Sequence, residues 1–495
     1  MKKNVKGVIA GVAVLAVLGG AYAAITLMDK DSGSEKSSSS ASVSSEAEKE
    51  TKELYSHDQA DVASIDISNS GGSFKVVRSS KNKEDNSAQF TIEGYEDLDL
   101  NTTLVSSLAS NASSMKVSVI EENAADLSKY GLKEPAAEVA VKFDGDEQHF
   151  YVGDTSPVSE NTYFMVEGDS TVYTAPTSSV SIFTSESTYF INKTMVEASS
   201  DSSEQSENPI VKEMTIKQSG LDYDIVLKYD ENTDDEEENT NTSGTLASQY
   251  MESPIFAYLD VEKVNDTVNS MFGLTADTVM TAHPNDAELA AAGLDKPSCT
   301  VEMKTDDGKT TVLSVGKSYS ADDTEYAMCM VKGKDVIYAV KKETLKCWTD
   351  VKPEDIMSRM VFGTYVWDIG ELSIAYGDTE VKFEGKGSSD EDYTVTKNGK
   401  ECDTERFRSF YTYILKTAAE DLAIDESFEG KPECKIHLRS QNGKTDQIVE
   451  FYSQGKKSLI VVDGQARFKC RTAYVDLLIK NLEKFDGSED FVMNW

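Results

Sequence analysis

The feature that most constrains this chain is that it repeats itself. Tyr130-Gly131-Leu132-Lys133-Glu134-Pro135 and Ala292-Gly293-Leu294-Asp295-Lys296-Pro297 share a Gly-Leu-x-x-Pro corner, each behind a short helical run, AADLSK and DAELAA. Glycine suits the left-handed residue that ends a helix, leucine supplies the hydrophobic contact that follows, and proline three residues on prevents continuation. Alternating segments follow, 136–143 and 298–305, and lead into Asp144-Gly145 and Asp307-Gly308. Asp-Gly between alternating segments signals a hairpin, because glycine accepts positive φ. Second strands are expected at 149–152 and 311–315, ending at Gly153 and Gly316, and Tyr163 matches Tyr326 in the next strand. A further turn falls at Gly168-Asp169 and Gly333-Lys334, then a last strand at 171–173 and 336–338, and an amphipathic segment near 179–183 and 343–348.

A third copy keeps the spacing with weaker identity. Pro432 precedes CKIHLRS, Asn442-Gly443 makes the turn, and IVEFY, LIVVDGQARFKC and VDLLIKNLEKF supply strand, hairpin and closing helix. The glycines of the two turns lie 23, 25 and 21 residues apart in the three copies. The third lacks the Gly-Leu corner and has Gly430-Lys431-Pro432 instead. Upstream of each proline lies a hairpin, at 65–78, 214–229 and 372–384, and then a helix. In the third copy Asp403 or Thr404 caps a stripe of Phe407, Phe410, Tyr411, Ile414, Leu415 and Ala418. Phe256, Leu259, Val264, Val268 and Met271 hold the comparable place in the second.

The unit reads β-β-(β)-α-α-β-β-β-β-α over about 140 residues, too large for a solenoid repeat. The fold class is α+β: tandem domains of antiparallel sheet with covering helices, at 57–198, 209–350 and 355–495. They follow an N-terminal membrane-spanning helix and a disordered linker. Residues 7–28 carry no charge over 22 positions, behind Lys2, Lys3 and Lys6. About 20 apolar residues cross a bilayer, and the positive flank stays inside. Residues 1–28 are therefore a signal anchor, or a signal peptide cleaved at Ala21-Tyr22-Ala23, which would release the chain. No Cys follows the apolar run, which excludes lipid attachment there, and Gly7 and Gly11 read as incidental small residues rather than a dimer face. Residues 29–56 are polar and read as a disordered stalk, and 199–208 as a linker between domains.

The Gly-Leu-x-x-Pro, Asp-Gly, Tyr/Val-x-Val-Gly, Tyr and Gly-x-x-Val-Tyr series resembles the family known as domain of unknown function 4340, best over 130–183 and 292–348. Members are typically membrane-anchored extracytoplasmic bacterial proteins, often encoded beside ABC-type transporter components, including auxiliary components linked to gliding motility. The resemblance implies a location at the cell membrane and a partner such as a transporter permease or envelope protein. It supplies no catalytic residues.

Composition narrows the partners. The 495 residues hold 49 Lys+Arg against 87 Asp+Glu, a net charge of −38, which disfavours nucleic acid and anionic lipid surfaces. Four His and six Cys rule out a His-rich metal centre and a disulfide-dense scaffold. His57, His149, His283 and His437 have no ligand spacing, and His149 and His437 sit in alternating segments where a cross-strand role is expected. Ser314-Val315-Gly316-Lys317 matches Ser-x-x-Lys, but that chemistry needs the Ser to open a helix, and here it ends a strand. Gly308-Lys309-Thr310 and Gly443-Lys444-Thr445 lack the upstream glycine of a phosphate loop. The acidic run 230–238 lacks the spacing of a calcium loop and reads as a solvated loop. Cys299, Cys329, Cys347, Cys402, Cys434 and Cys470 divide three and three between two copies. Cys299 and Cys434 fall where the first copy has Ala137, a small buried position. No catalytic, cofactor-binding or metal-binding residue is assigned. The expectation is a non-enzymatic, membrane-anchored extracytoplasmic binding or scaffold protein, an accessory of an ABC-type transporter or envelope complex. The alternatives are a surface module binding glycan or peptide, and, more distantly, an envelope hydrolase.

Overall fold

The computed structural model describes residues 51–82, 84, 86–198, 208–231, 245–387, 389–416 and 419–495. The apolar segment 7–28 and residues 29–50 of the stalk lie outside the described residues, as does most of the 199–208 linker. The last six stalk residues, Thr51–Ser56, form a strand paired with residues 114–118 rather than disordered chain, because Leu54 and Tyr55 pack on the first core. Among the described residues no helix is long and apolar enough to cross a membrane.

Among the described residues the chain forms three nine-stranded sheets, and every pairing whose register is given is antiparallel. The first contains β1 (Thr51–Ser56), β2 (Val62–Asn69), β3 (Gly72–Lys81), β4 (Ala88–Ile92), β5 (Ser114–Glu121), β6 (Ala137–Phe143), β7 (Glu147–Thr155), β8 (Asn161–Val166) and β9 (Val172–Pro176). The second contains β10 (Val211–Gln218), β11 (Ile225–Tyr229), β12 (Leu246–Ser253), β13 (Ala257–Asp260), β14 (Thr278–Ala282), β15 (Cys299–Thr305), β16 (Thr310–Ala321), β17 (Thr324–Val331) and β18 (Val336–Lys341). The third contains β19 (Ile369–Tyr376), β20 (Thr379–Lys386), β21 (Thr394–Lys397), β22 (Lys400–Glu401), β23 (Asp421–Leu422), β24 (Cys434–Ser440), β25 (Asp446–Gln454), β26 (Lys457–Val462) and β27 (Gln465–Arg471).

The orders are β4-β3-β2-β6-β7-β8-β9-β5-β1, β13-β12-β11-β10-β15-β16-β17-β18-β14 and β22-β21-β20-β19-β24-β25-β26-β27-β23. Eight strands follow one plan. A hairpin and a third strand lie on one side of a four-strand meander, and a short return strand pairs with the meander's last member. The ninth strand differs: β1 lies beside the return strand β5, whereas β13 and β22 lie at the opposite end. The registers also repeat. Ile67 faces Val139, Ile216 faces Val301 and Ile374 faces Ile436, all buried. The same pairing has a register shift near its start in each copy, at Val62/Ser64, Val211/Glu213 and Ile369/Glu371. A one-residue slip would turn the core face outward, so agreement at this level is strong repetition.

By its internal contacts the chain divides into two compact units. One holds the residues up to 195 with 275–292 and 318–342; the other holds 196–274, 293–317 and 343–495. The first sheet lies in the first unit and the third sheet in the second. Of the second sheet, β14, β17 and β18 fall in the first unit, and β10 to β13 with β15 in the second.

Each copy has one well-capped helix between its hairpin and its meander: Thr102–Ser113, Val261–Asn269 and Thr404–Leu415. The caps are Asn101, Asp260 and Asp403, whose side chains accept from backbone N–H groups of the first turn. In the third copy Phe407, Phe410, Tyr411 and Ile414 are fully buried on one stripe, each contributing about 1.5–3 kcal/mol of burial; Ala418 lies outside the described residues. In the second copy Phe256 and Leu259 precede the helix, with Leu259 in β13, because Asp260 starts the helix later than the apolar pattern suggests. The second helix expected in every unit is the corner itself, a 3-10 turn at Leu127–Tyr130 and a helix at Asp286–Ala292. The return strands β5, β14 and β23 are absent from the sequence pattern above.

The corner explains its own motif. Gly131 and Gly293 have φ of +65° and +72°. A Cβ at Gly131 would meet Asp154, and one at Gly293 would meet Lys317, equivalent residues of β7 and β16. Gly153 does not end a strand, since β7 runs on to Thr155 and β16 passes Gly316 to reach Ala321. A Cβ at Gly153 would lie 2.2 Å from the Tyr130 carbonyl oxygen. The glycine is there for close approach of two backbones, not for a turn.

Candidate functional site

Strand alternation sends one set of side chains to the helix-covered core and the other to an uncovered face. In the first sheet the core set includes Ile65, Ile67, Val76, Val139, Val141, Phe150 and Val152. The opposite set is Asp66 and Ser68 on β2, Ser73 and Lys75 on β3, Glu138 and Ala140 on β6, and His149 and Tyr151 on β7. With Glu93 and Glu167 these residues border an open depression of about 770 Å³.

The electrostatics are acidic. Lys75 Nζ lies 3.3 Å from Asp66. His149 lies between two carboxylates, Nε2 at 3.0 Å from Glu147 and Nδ1 at 3.5 Å from Glu167. Glu138 is exposed. Burial, then Glu167 and Glu138, pushes the Tyr151 hydroxyl above its ordinary pKa. The other two sheets offset part of the charge on the equivalent face with ion pairs. Lys304 lies between Glu213 at 2.7 Å and Glu302 at 3.5 Å. Lys382 lies between Glu371 at 3.0 Å and Glu384 at 3.1 Å, and Lys435 pairs with Glu450 at 3.3 Å. Half-exposed pairs of this kind add little stability, but they set the charge a partner would meet.

The residues singled out in the sequence do not converge on one centre. His57 stacks on Phe143 with ring centroids 3.9 Å apart. His149 and His437 make the expected contacts within their strands and hairpins, His437 Nε2 lying 2.5 Å from Asp446. His283 stands apart, just beyond β14 with φ of +48°. Ser314 lies inside β16 opposite Thr300, and Lys317 lies on the same strand against the Gly293 corner, so no helix brings the two together. The Gly-Lys-Thr stretches are hairpin turns: Asp307 Oδ1 accepts from the Lys309 N–H at 3.0 Å, and Asn442 Oδ1 from that of Lys444 at 3.0 Å. Of the acidic run, residues 232–238 lie outside the described residues.

All six cysteines are free thiols. Cys299, Cys434 and Ala137 are each at most 1% exposed at the matching position, which is the small buried site the alignment implied. Burial pushes the Cys299, Cys434 and Cys470 thiols up to about 12, far from the range of a reactive thiolate. Among the described residues, no group of three or more His, Cys, Asp or Glu could hold a metal ion. The matching tyrosines pack in pairs: Tyr130 on Tyr163 at 4.8 Å, and Tyr319 on Tyr326 at 5.5 Å. Alternation made the polar face of each strand legible in the sequence; which face stays uncovered depends on the side to which the helix returns.

A family model described as Domain of unknown function (DUF4340) matches residues 91–253 and 250–434. No curated protein and no solved structure matches the chain.

Proposed function

The chain belongs to the DUF4340 family, and on that premise we propose that it is an extracytoplasmic binding or scaffold protein, held at the cell membrane through residues 7–28, that serves an ABC-type transporter or another envelope complex. The observation that carries this reading is the thrice-built sheet with one helix-covered face and one uncovered face of charged side chains. In the first sheet that face is open and acidic; in the other two its cations and carboxylates pair with one another across strands. Such surfaces suit docking, where electrostatic complementarity sets partner choice and encounter rate more than affinity. The uncharged 22-residue segment behind three lysines supports the tether.

The experiment is mild crosslinking of the full chain in its native membranes, followed by solubilisation and mass spectrometry. A transporter permease or ATPase should be captured, and Glu138→Lys with Glu167→Lys should weaken the capture at low salt. Recovery of the intact chain from the cytosol, or of a membrane-bound chain with neither component attached, overturns the proposal.

A further inference from the structure

His283, like His57, has no role that sequence spacing explains, and its surroundings define a task. It follows β14 with φ of +48°, a backbone region that side-chain-bearing residues seldom adopt, so this position is held by its contacts. Its Nδ1 is 2.9 Å from the Asp335 carboxylate in the turn between β17 and β18. Its Nε2 is 3.0 Å from the Gly94 carbonyl and 3.4 Å from Asp97, in the segment after β4. The ring leans on Tyr95 at 5.8 Å. All of these residues belong to one compact unit. Both ring nitrogens therefore face acceptors. A neutral imidazole carries one N–H and can satisfy only one of them; the imidazolium satisfies both.

We propose that His283 is a pH-sensitive clamp: protonated, it ties the 94–99 segment of the first repeat to the end of β14 and the β17–β18 turn of the second, and on losing its proton it releases that segment. The charges around it favour the cation. Asp97 and Glu96 from the clamped segment and Asp335 from the turn act on the ring, while Glu93 and Asp99 flank that segment in sequence and Asp286 and Glu288 begin the helix after β14. Lys332 and Lys334 are the cations of that turn; the Lys334 Nζ donates to the Thr194 carbonyl at 2.6 Å and lies 3.8 Å from Asp99. The hydrogen bond to Asp335, then the charge of Asp97, raises the imidazole pKa. A raised pKa means that the clamp is fully closed below the ordinary value of 6.5 and loosens as pH rises through the value in the closed form. Histidine is the side chain whose ordinary titration falls in this range.

The test is hydrogen exchange of the full chain between pH 6 and 9, corrected for intrinsic exchange, with ¹³C-histidine titrations assigned through His283→Gln. The His283 midpoint should lie above 6.5, and protection of 94–99 should fall about tenfold for each pH unit separating the closed-form midpoint from that value. His283→Gln should leave 94–99 weakly protected at every pH. Asp335→Asn, which keeps the ring but removes its carboxylate, should move the transition to lower pH. A midpoint at or below 6.5, a 94–99 segment whose protection ignores pH, or an Asp335→Asn profile identical to wild type overturns the clamp.

Discussion

Gly153→Ala is the sharpest test of how the repeat holds together. The added methyl would sit 2.2 Å from the Tyr130 carbonyl oxygen and 3.0 Å from two carbons of Leu132. Ordinary contact begins near 3.4 Å, so the corner must withdraw from β7 by more than 1 Å. The atom in the way is backbone, which cannot rotate aside. Overpacking of this kind costs about 1–3 kcal/mol. Withdrawal also strips packing from Leu132, which is 4% exposed, and strains the Ala136 N–H to Val152 carbonyl hydrogen bond of 2.8 Å. Together these make a penalty of about 3 kcal/mol, roughly a hundredfold in the local opening equilibrium. Three sheets in two units make two-state unfolding a poor assumption, so the assay is native-state hydrogen exchange on β6, β7 and β8. Gly145→Ala is the control: a Cβ there meets nothing within 4 Å and the residue has no positive φ, so its effect should stay within about 0.5 kcal/mol. If Gly153→Ala exchanges like Gly145→Ala, the close approach of corner and strand is not what the glycine serves.

Alkylation of the native chain at pH 8 should label Cys402 and Cys347, which are half-buried, well before Cys299 and Cys434. A thiol near 12 is about one part in ten thousand thiolate at that pH, so peptide mapping that finds Cys299 as fast as Cys402 refutes the burial argument. Arg78 and Lys81 hold the Asp144 carboxyl down at about 2; a depressed carboxylate stabilises above its unfolded value near 4 and loses that stability as pH falls toward 2. The thermal midpoints of wild type and Asp144→Asn should therefore differ at pH 6 and converge at pH 2, and equal midpoints at both pH values contradict the pairing. Replacing residues 51–56 with a Gly-Ser segment removes the pairing of β1 with β5 and the packing of Leu54 and Tyr55 on the core. Exchange in β5 should rise at least tenfold while β6 and β7 hold, and unchanged β5 amides would show that β1 contributes nothing.

What the sequence discloses of this fold is what repeats at short range. Proline, the Asp-Gly and Asn-Gly turns and strict alternation located all three meanders, because each meander strand pairs with its neighbour in sequence and the turn chemistry is local. The return strands escaped notice: β14 and β23 show no period because they have five and two residues, whereas length does not account for the eight-residue β5. The helix Thr102–Ser113 also escaped, its apolar face being built from Val105, Leu108, Ala109 and Ala112 among serines and threonines. In sequence Gly153 and Gly316 look like strand ends because glycine marks both turns and close approaches, and only the partner backbone tells them apart. The candidate site was less legible still. Asp66, Glu138, His149 and Glu167 are ordinary outward residues until the placement of the helix decides which face of the sheet remains bare.

The two family matches begin inside one sheet and end inside the next, at 91–253 and 250–434, so each follows the chain across a sheet boundary. A return strand at the end of a sheet leaves an unpaired edge, which needs cover. In the first copy β1 covers β5 from Ser114 to Ser118. At the second, Thr194 bridges Thr275, and the Ala276 N–H donates to the Lys193 carbonyl at 2.8 Å, just ahead of β14. At the third, the Ala419 N–H donates to the Arg359 carbonyl at 3.3 Å, just ahead of β23. In each case the chain arriving at a sheet lies along the backbone that leads into that sheet's return strand. The second match, 250–434, contains both Arg359 and Ala419, whereas the first, 91–253, contains Lys193 and Thr194 but ends before Thr275 and Ala276. Each sheet's return-strand end is therefore met by the chain that precedes that sheet's first hairpin, β1 in the first copy and the backbones of residues 193–194 and Arg359 in the other two.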